Sequence, residues 1–263
     1  MSALTKPATI FPSWHFSRWH AVDDRVRGGS SQSHLDPVPI DVGSAVGYDK
    51  PTGARFWGTL DTKTLGGAGF ASQRYIFGPE PLDLPRLSYQ GITLRLLPDE
   101  QKTASSSTSP APINGKSHPE DPHTFTLVLK TSPPQHTPSK PKLPPNPEPA
   151  SLSYEHDFSL SSPLRSSHTP ETLHLSFDDF KAVYRGRDVP TSDPRYKPFD
   201  PTKIFELSLM CRSAFGKQEG EFGVVVVSME GWGRAEKKER EGCWRGVQQW
   251  VGSWLGGERG VKL

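Results

Sequence analysis

Between Ser132 and Ala150 the chain carries Pro133, Pro134, Pro138, Pro141, Pro144, Pro145, Pro147 and Pro149. Proline lacks an amide hydrogen and has a fixed φ, so this stretch can neither continue a helix nor sit in the middle of a sheet. It also holds little apolar surface to offset the entropy of ordering. A second break, about residues 98–123, is polar and includes Thr103-Ala-Ser-Ser-Ser-Thr-Ser-Pro110. Both read as long disordered or extended inserts hanging from whatever the remaining sequence builds, because loop closure grows only slowly more costly with length.

What remains alternates with a period of two. Ile92-Thr-Leu-Arg-Leu96, Phe125-Thr-Leu-Val-Leu129, Leu173-His-Leu-Ser-Phe177, Ile204-Phe-Glu-Leu-Ser-Leu209 and Phe222 to Met229 each read as strands. Val224 to Val227 is β-branched throughout, which suits a strand covered on both faces. With 27 prolines and 24 glycines in 263 residues, a mostly helical protein is disfavoured. The pattern predicts an all-β sandwich. It forms one domain over 10–230 carrying two hairpin insertions, about 98–123 and 132–150; two domains joined by linkers is the alternative. Residues 231–263 form a charged, Trp-rich tail. Trp244, Val247, Val251 and Trp254 recur there at helical spacing, which predicts a C-terminal helix packed on the sandwich, or a segment for a partner or a membrane surface.

Several functions are excluded or left without support. Lys+Arg 31 against Asp+Glu 29 gives a net charge of +2, too balanced for a general nucleic-acid binder. Cys211 and Cys243 are too few for a disulfide scaffold, which favours a reducing compartment. No apolar run is long enough to predict a transmembrane helix. The first 22 residues lack acids and include Lys6 and Arg18, a composition compatible with a short mitochondrial presequence. The histidines are scattered, with no zinc-ligand spacing. Gly66-Gly-Ala-Gly69 lacks the lysine of a phosphate-binding loop and reads as a lead-in to a strand. Asp178 and Asp179, adjacent on a strand end, would point to opposite faces and could not flank one bond. No catalytic, metal or cofactor-binding residue is assigned.

The sharpest segment is Trp19-His-Ala-Val-Asp-Asp-Arg-Val-Arg-Gly-Gly-Ser-Ser-Gln-Ser33. Asp23 and Asp24 could ligate a cation or a sugar hydroxyl. The better-supported reading pairs one of them with Arg25 or Arg27 in a tight turn made by Gly28 and Gly29, with Ser30, Ser31 and Ser33 capping backbone groups. Trp19, Asp23, Asp24, Arg27, Gly28, Gly29, Ser31, Trp57 and Arg74 are the candidate ligand- or partner-binding residues. Trp57 with Arg55, or Trp14 with Arg18, could serve a sugar.

Taken in order, these segments resemble a known family. Trp19 … Asp23-Asp24 … Gly28-Gly29-Ser30 … Ser33, Phe56-Trp-Gly-Thr-Leu60 and Gly69-Phe-Ala-Ser-Gln-Arg74 are similar to the complex I intermediate-associated protein 30 family. Asp83-Leu84, Tyr89 to Arg95, Leu173 to Phe180 with Arg185-Gly186, Lys203-Ile204 and Gly220 to Val224 follow in the family's order. The sequence departs from the family at Leu97 to Glu100 and the serine-rich insert, and ahead of Leu173, where a tryptophan is usual. The resemblance implies a galactose-binding-like jelly-roll β-sandwich. It further implies a non-catalytic, chaperone-like assembly factor of mitochondrial complex I, without a cofactor, whose partners are proteins: assembly intermediates and other assembly factors. Peripheral membrane association would come through the tail. The rival expectation is a carbohydrate- or small-ligand-binding module outside mitochondria, in the cytoplasm.

Overall fold

The computed structural model describes residues 8–11, 14–40, 52–99, 123–134, 150–161 and 169–233. The predicted tail helix and the interiors of both inserts lie outside the described residues. Thirteen strands are named in chain order: β1 (Thr9–Phe11), β2 (Trp19–Ala21), β3 (Gln32–Pro39), β4 (Thr52–Leu60), β5 (Phe70–Ile76), β6 (Tyr89–Pro98), β7 (Phe125–Lys130), β8 (Ser153–Phe158), β9 (Glu171–Ser176), β10 (Lys181–Tyr184), β11 (Arg187–Asp188), β12 (Glu206–Arg212) and β13 (Gly220–Gly233). Among the described residues the helical elements are two short 3-10 turns, Phe16–Arg18 and Asp24–Arg27.

The strands form two antiparallel sheets. One runs β3-β4-β13-β6-β9, with β1 against the far half of β13; the other runs β11-β10-β8-β7-β12-β5-β2. Their inner faces meet in one hydrophobic core, to which Phe56, Leu94, Val224 and Met229 come from the first sheet and Leu127, Leu129, Tyr75 and Leu209 from the second. This is the β-sandwich that both the alternation and the resemblance imply. Each predicted strand lies in a named element, with small differences at the ends. Phe177 falls in the turn after β9, and Ile204 makes a lone bridge to Leu82 ahead of β12.

Val224 and Val226 point into the core, while Val225 and Val227 on the opposite face are also buried. Val225 lies between Arg55 and Leu97 in register, and those longer side chains flank the outer surface of β13. The expectation of two hairpin insertions fails for the first. Residues 100–122 join β6 in one sheet to β7 in the other, whereas residues 135–149 join β7 to its antiparallel neighbour β8. The reason is geometric: β6 and β7 both alternate cleanly, but alternation reports which face is buried and not which sheet a strand joins.

Strand directions bring three loops to one end of the sandwich. Leu60 ends β4 opposite Gly220 at the start of β13, and Phe70 begins β5 opposite Arg212 at the end of β12. Loops 22–31, 61–69 and 213–219 therefore leave the two sheets side by side.

Candidate functional site

The acidic pair sits where these loops meet. Asp23 and Asp24 are 6% and 1% exposed. A buried carboxylate is costly unless its oxygens find donors. Asp24 accepts the amide and hydroxyl of Ser31, at 3.0 and 2.7 Å, and the Phe70 amide at 3.2 Å. Asp23 accepts the amide and hydroxyl of Ser33, at 3.2 and 2.6 Å, and the Ser72 amide at 2.9 Å. Each carboxylate thus ties the start of β3 to β5. Consecutive side chains diverge and strand residues alternate, so 24 takes 31 and 70 while 23 takes 33 and 72.

This corrects the expected pairing with Arg25 or Arg27. Both arginines are exposed on the outside of the turn, and Arg27 lies over the Phe70 ring at 5.6 Å. The turn explains the difference. Gly28, at φ 84°, caps the 3-10 turn in the left-handed region and reverses the chain, so that Ser31 and Ser33 return alongside the carboxylates. Gly29 passes so close that a Cβ there would collide with the Asp24 carboxylate. Ser31 and Ser33 meet backbone groups as foreseen, at the Asp61 amide and the Ser72 carbonyl, and bond the carboxylates as well, whereas Ser30 meets the Thr64 hydroxyl at 3.0 Å.

Residues without a sequence signal complete the network. The Asp61 amide donates to the Ser31 hydroxyl at 3.0 Å. The Asp61 carboxyl accepts the Thr64 amide, which with the Thr64 side chain holds it below its ordinary range. Gln73 reaches across the core from β5 and donates to the Ser33 carbonyl at 2.9 Å, a direct tie between sheets. Ser213 donates to the Gly67 carbonyl at 2.8 Å and accepts the Gly69 amide at 2.9 Å, pinning the third loop. A Cβ at Gly69 would strike the Asp61 carbonyl. Asp61 lies 30 residues from Ser31 and Ser213 lies 144 from Gly69, beyond any local pattern.

The remaining candidates lie elsewhere. Trp19 is buried in an aromatic cluster with Phe11, Trp14 and Tyr75, so Trp14 is core as well. Arg74 lies on β5 with its guanidinium 3.9 Å from Glu206. Trp57 stands on the outer face of the first sheet. His34 stacks on its ring at 4.5 Å, Arg55 lies over it at 4.5 Å, and its indole donates to Asp36 at 2.7 Å. Gly66 to Gly69 leads into β5 as expected, although Phe70 itself is only half-buried. Phe177 and Phe180 are core, with Asp178 and Asp179 exposed in a turn. Among the described residues no group of three His, Cys, Asp or Glu is placed to hold a metal ion.

The Asp-Asp segment, its serines and the strand it grips lie inside one family match. The model for "Complex I intermediate-associated protein 30" aligns with residues 8–226. The chain belongs to that family. A relative from Schizosaccharomyces pombe, "Uncharacterized protein C9E9.15", is 35% identical over 217 residues, covering 82% of this chain and 78% of its own. Membership brings a general context of complex I assembly, and the family is associated with assembly factors and not with catalysis. No helix among the described residues is long and apolar enough to cross a membrane.

Proposed function

We propose that this member of the complex I intermediate-associated protein 30 family is a non-catalytic, chaperone-like assembly factor that works in mitochondria and holds immature complex I subunits through its β-sandwich. One observation carries the reading: the family match runs from β1 into β13, across both sheets and all three loops at the braced end. A binding role also fits the use of the acidic pair, whose oxygens are occupied in bracing backbone and hydroxyl groups. Immature subunits expose apolar surface, and a rigid sandwich with projecting loops offers a template to cover it.

The test is localisation of the tagged full chain combined with identification of co-purifying proteins. Mitochondrial residence with complex I intermediates is the expected result; residence in the cytosol without respiratory subunits overturns it. The carbohydrate reading rests on Trp57. A sugar stacks on a bare aromatic face, but this ring carries His34 and Arg55, and its N–H is engaged by Asp36. Binding on a glycan array, without respiratory partners, would restore that reading.

A further inference from the structure

The loop end braced by the acidic pair, and by Ser213 at the third loop, carries an exposed apolar group in a strained backbone. Phe215 is 89% exposed and Val26 is 74% exposed. Ala214, Phe215 and Gly216 follow one another at φ 45°, 60° and 82°. The left-handed region suits Gly or Asn, whereas an aromatic residue there is strained. Phe215 is therefore unfavourable twice over, by its backbone and by its exposure, and no described ring stacks on it. Backbone strain of this kind persists where surrounding structure holds it, and here Ser213 pins the loop base through Gly67 and Gly69.

The charges at this end are sorted. The loop tips carry Arg25, Arg27, Lys63 and Lys217, all exposed, and none of the four forms an ion pair with a described residue. The acids stand at the loop bases, next to the strands. Asp61 accepts the Thr64 amide, Glu219 accepts the Thr62 hydroxyl at 2.6 Å, and Glu221 is already in β13. Asp23 and Asp24 are buried beneath. The tips thus combine apolar side chains with cations, the pairing that interfacial membrane binding uses: apolar groups for the acyl boundary and cations for lipid phosphates.

We propose that the tips of loops 22–31, 61–69 and 213–219 dock this protein on an anionic phospholipid surface, with Phe215 and Val26 entering the interface and Arg25, Arg27, Lys63 and Lys217 meeting headgroup phosphates. These tips lie wholly within the described residues, and their docking serves whichever client the sandwich holds. The acidic pair, with Ser213 at the third loop, is then the mount that holds the tips together.

The experiment is co-sedimentation of the full chain with phosphatidylcholine vesicles, with and without phosphatidylserine as about one third of the lipid. Binding to the anionic vesicles that weakens with added salt is expected, with little binding to phosphatidylcholine alone. Phe215→Asn keeps a residue that tolerates the left-handed backbone, so it should unfold at the same or a higher urea concentration while losing tenfold or more in partitioning. Replacing the four cations by Gln should cost about fivefold per cation. No binding of the wild type to anionic vesicles at low salt overturns the proposal. So does binding that neither variant weakens, or loss of a co-purifying protein with vesicle binding intact, which would make the tips a protein-docking surface.

Discussion

The sandwich buries acids in two different ways. At the loop end, Asp23 and Asp24 are held by amides and hydroxyls, which carry no net charge. Within the second sheet, cations do the holding. Glu206 meets Lys130 at 2.8 Å, and Glu155 meets Arg212 at 2.7 Å, the latter also reaching Asp157. Neutral donors fixed in backbone leave a carboxylate little freedom, so the first arrangement specifies how loops 22–31 and 61–69 sit. Cations on flexible stems neutralise charge across neighbouring strands, and Glu206 and Lys130 are direct partners in the β12–β7 register. The acidic pair thus shapes the molecule, while the ion pairs make buried charge tolerable.

The largest expected effect comes from Asp24→Ala. It leaves the Ser31 and Phe70 donors without their acceptor and should cost about 4 kcal/mol in urea denaturation, lowering the midpoint at unchanged slope. A loss under about 1 kcal/mol would mean that the loops do not depend on the carboxylate. Gly29→Ala pushes a methyl into that same carboxylate and should cost about 2 kcal/mol by the same measurement.

The ion pairs should behave differently. Lys130→Met alone leaves Glu206 with only the more distant Arg74 and should destabilise by about 2 kcal/mol. Adding Glu206→Leu should recover most of that loss, because an apolar pair of similar volume can replace a buried salt bridge. Failure of the double variant to recover would put Glu206 in the same class as Asp24.

The smallest effect is one of pH. Burial pushes the Glu155 carboxyl above its ordinary 4.5, and Arg212 opposes this only in part. The folded protein therefore holds that proton more tightly than the unfolded chain. Stability from this group is fully present below pH 4.5 and is lost as pH rises through the raised folded value. Glu155→Gln removes the linkage, so its stability relative to the parent should improve as pH climbs through that window, read from urea midpoints at several pH values.

The same contrast explains what could be read from the sequence. Strands such as Ile92 to Leu96 and Phe125 to Leu129 were legible because a buried face imposes a period of two. The Asp23-Asp24-Arg-Val-Arg-Gly-Gly-Ser-Ser-Gln-Ser33 segment was legible as a turn with hydroxyls because all its parts are local. The partner of each acid was not. Neighbouring Arg25 and Arg27 looked sufficient, yet the reversal at Gly28 turns them outward and brings in Phe70 and Ser72, some 46 and 49 residues away. Alternation and family resemblance both implied the sandwich, but the assignment of β6 and β7 to different sheets depends on packing between faces, to which alternation is blind.

β13 is fourteen residues long, and its two halves have different neighbours along one edge: β4 beside Gly220 to Val226, and β1 beside Met229 and Glu230. Phe11 of β1 is buried and stacks on Trp14 at 4.6 Å. A chain cut after Phe11 would therefore lose the strand that closes this edge, together with an aromatic plug of the interior.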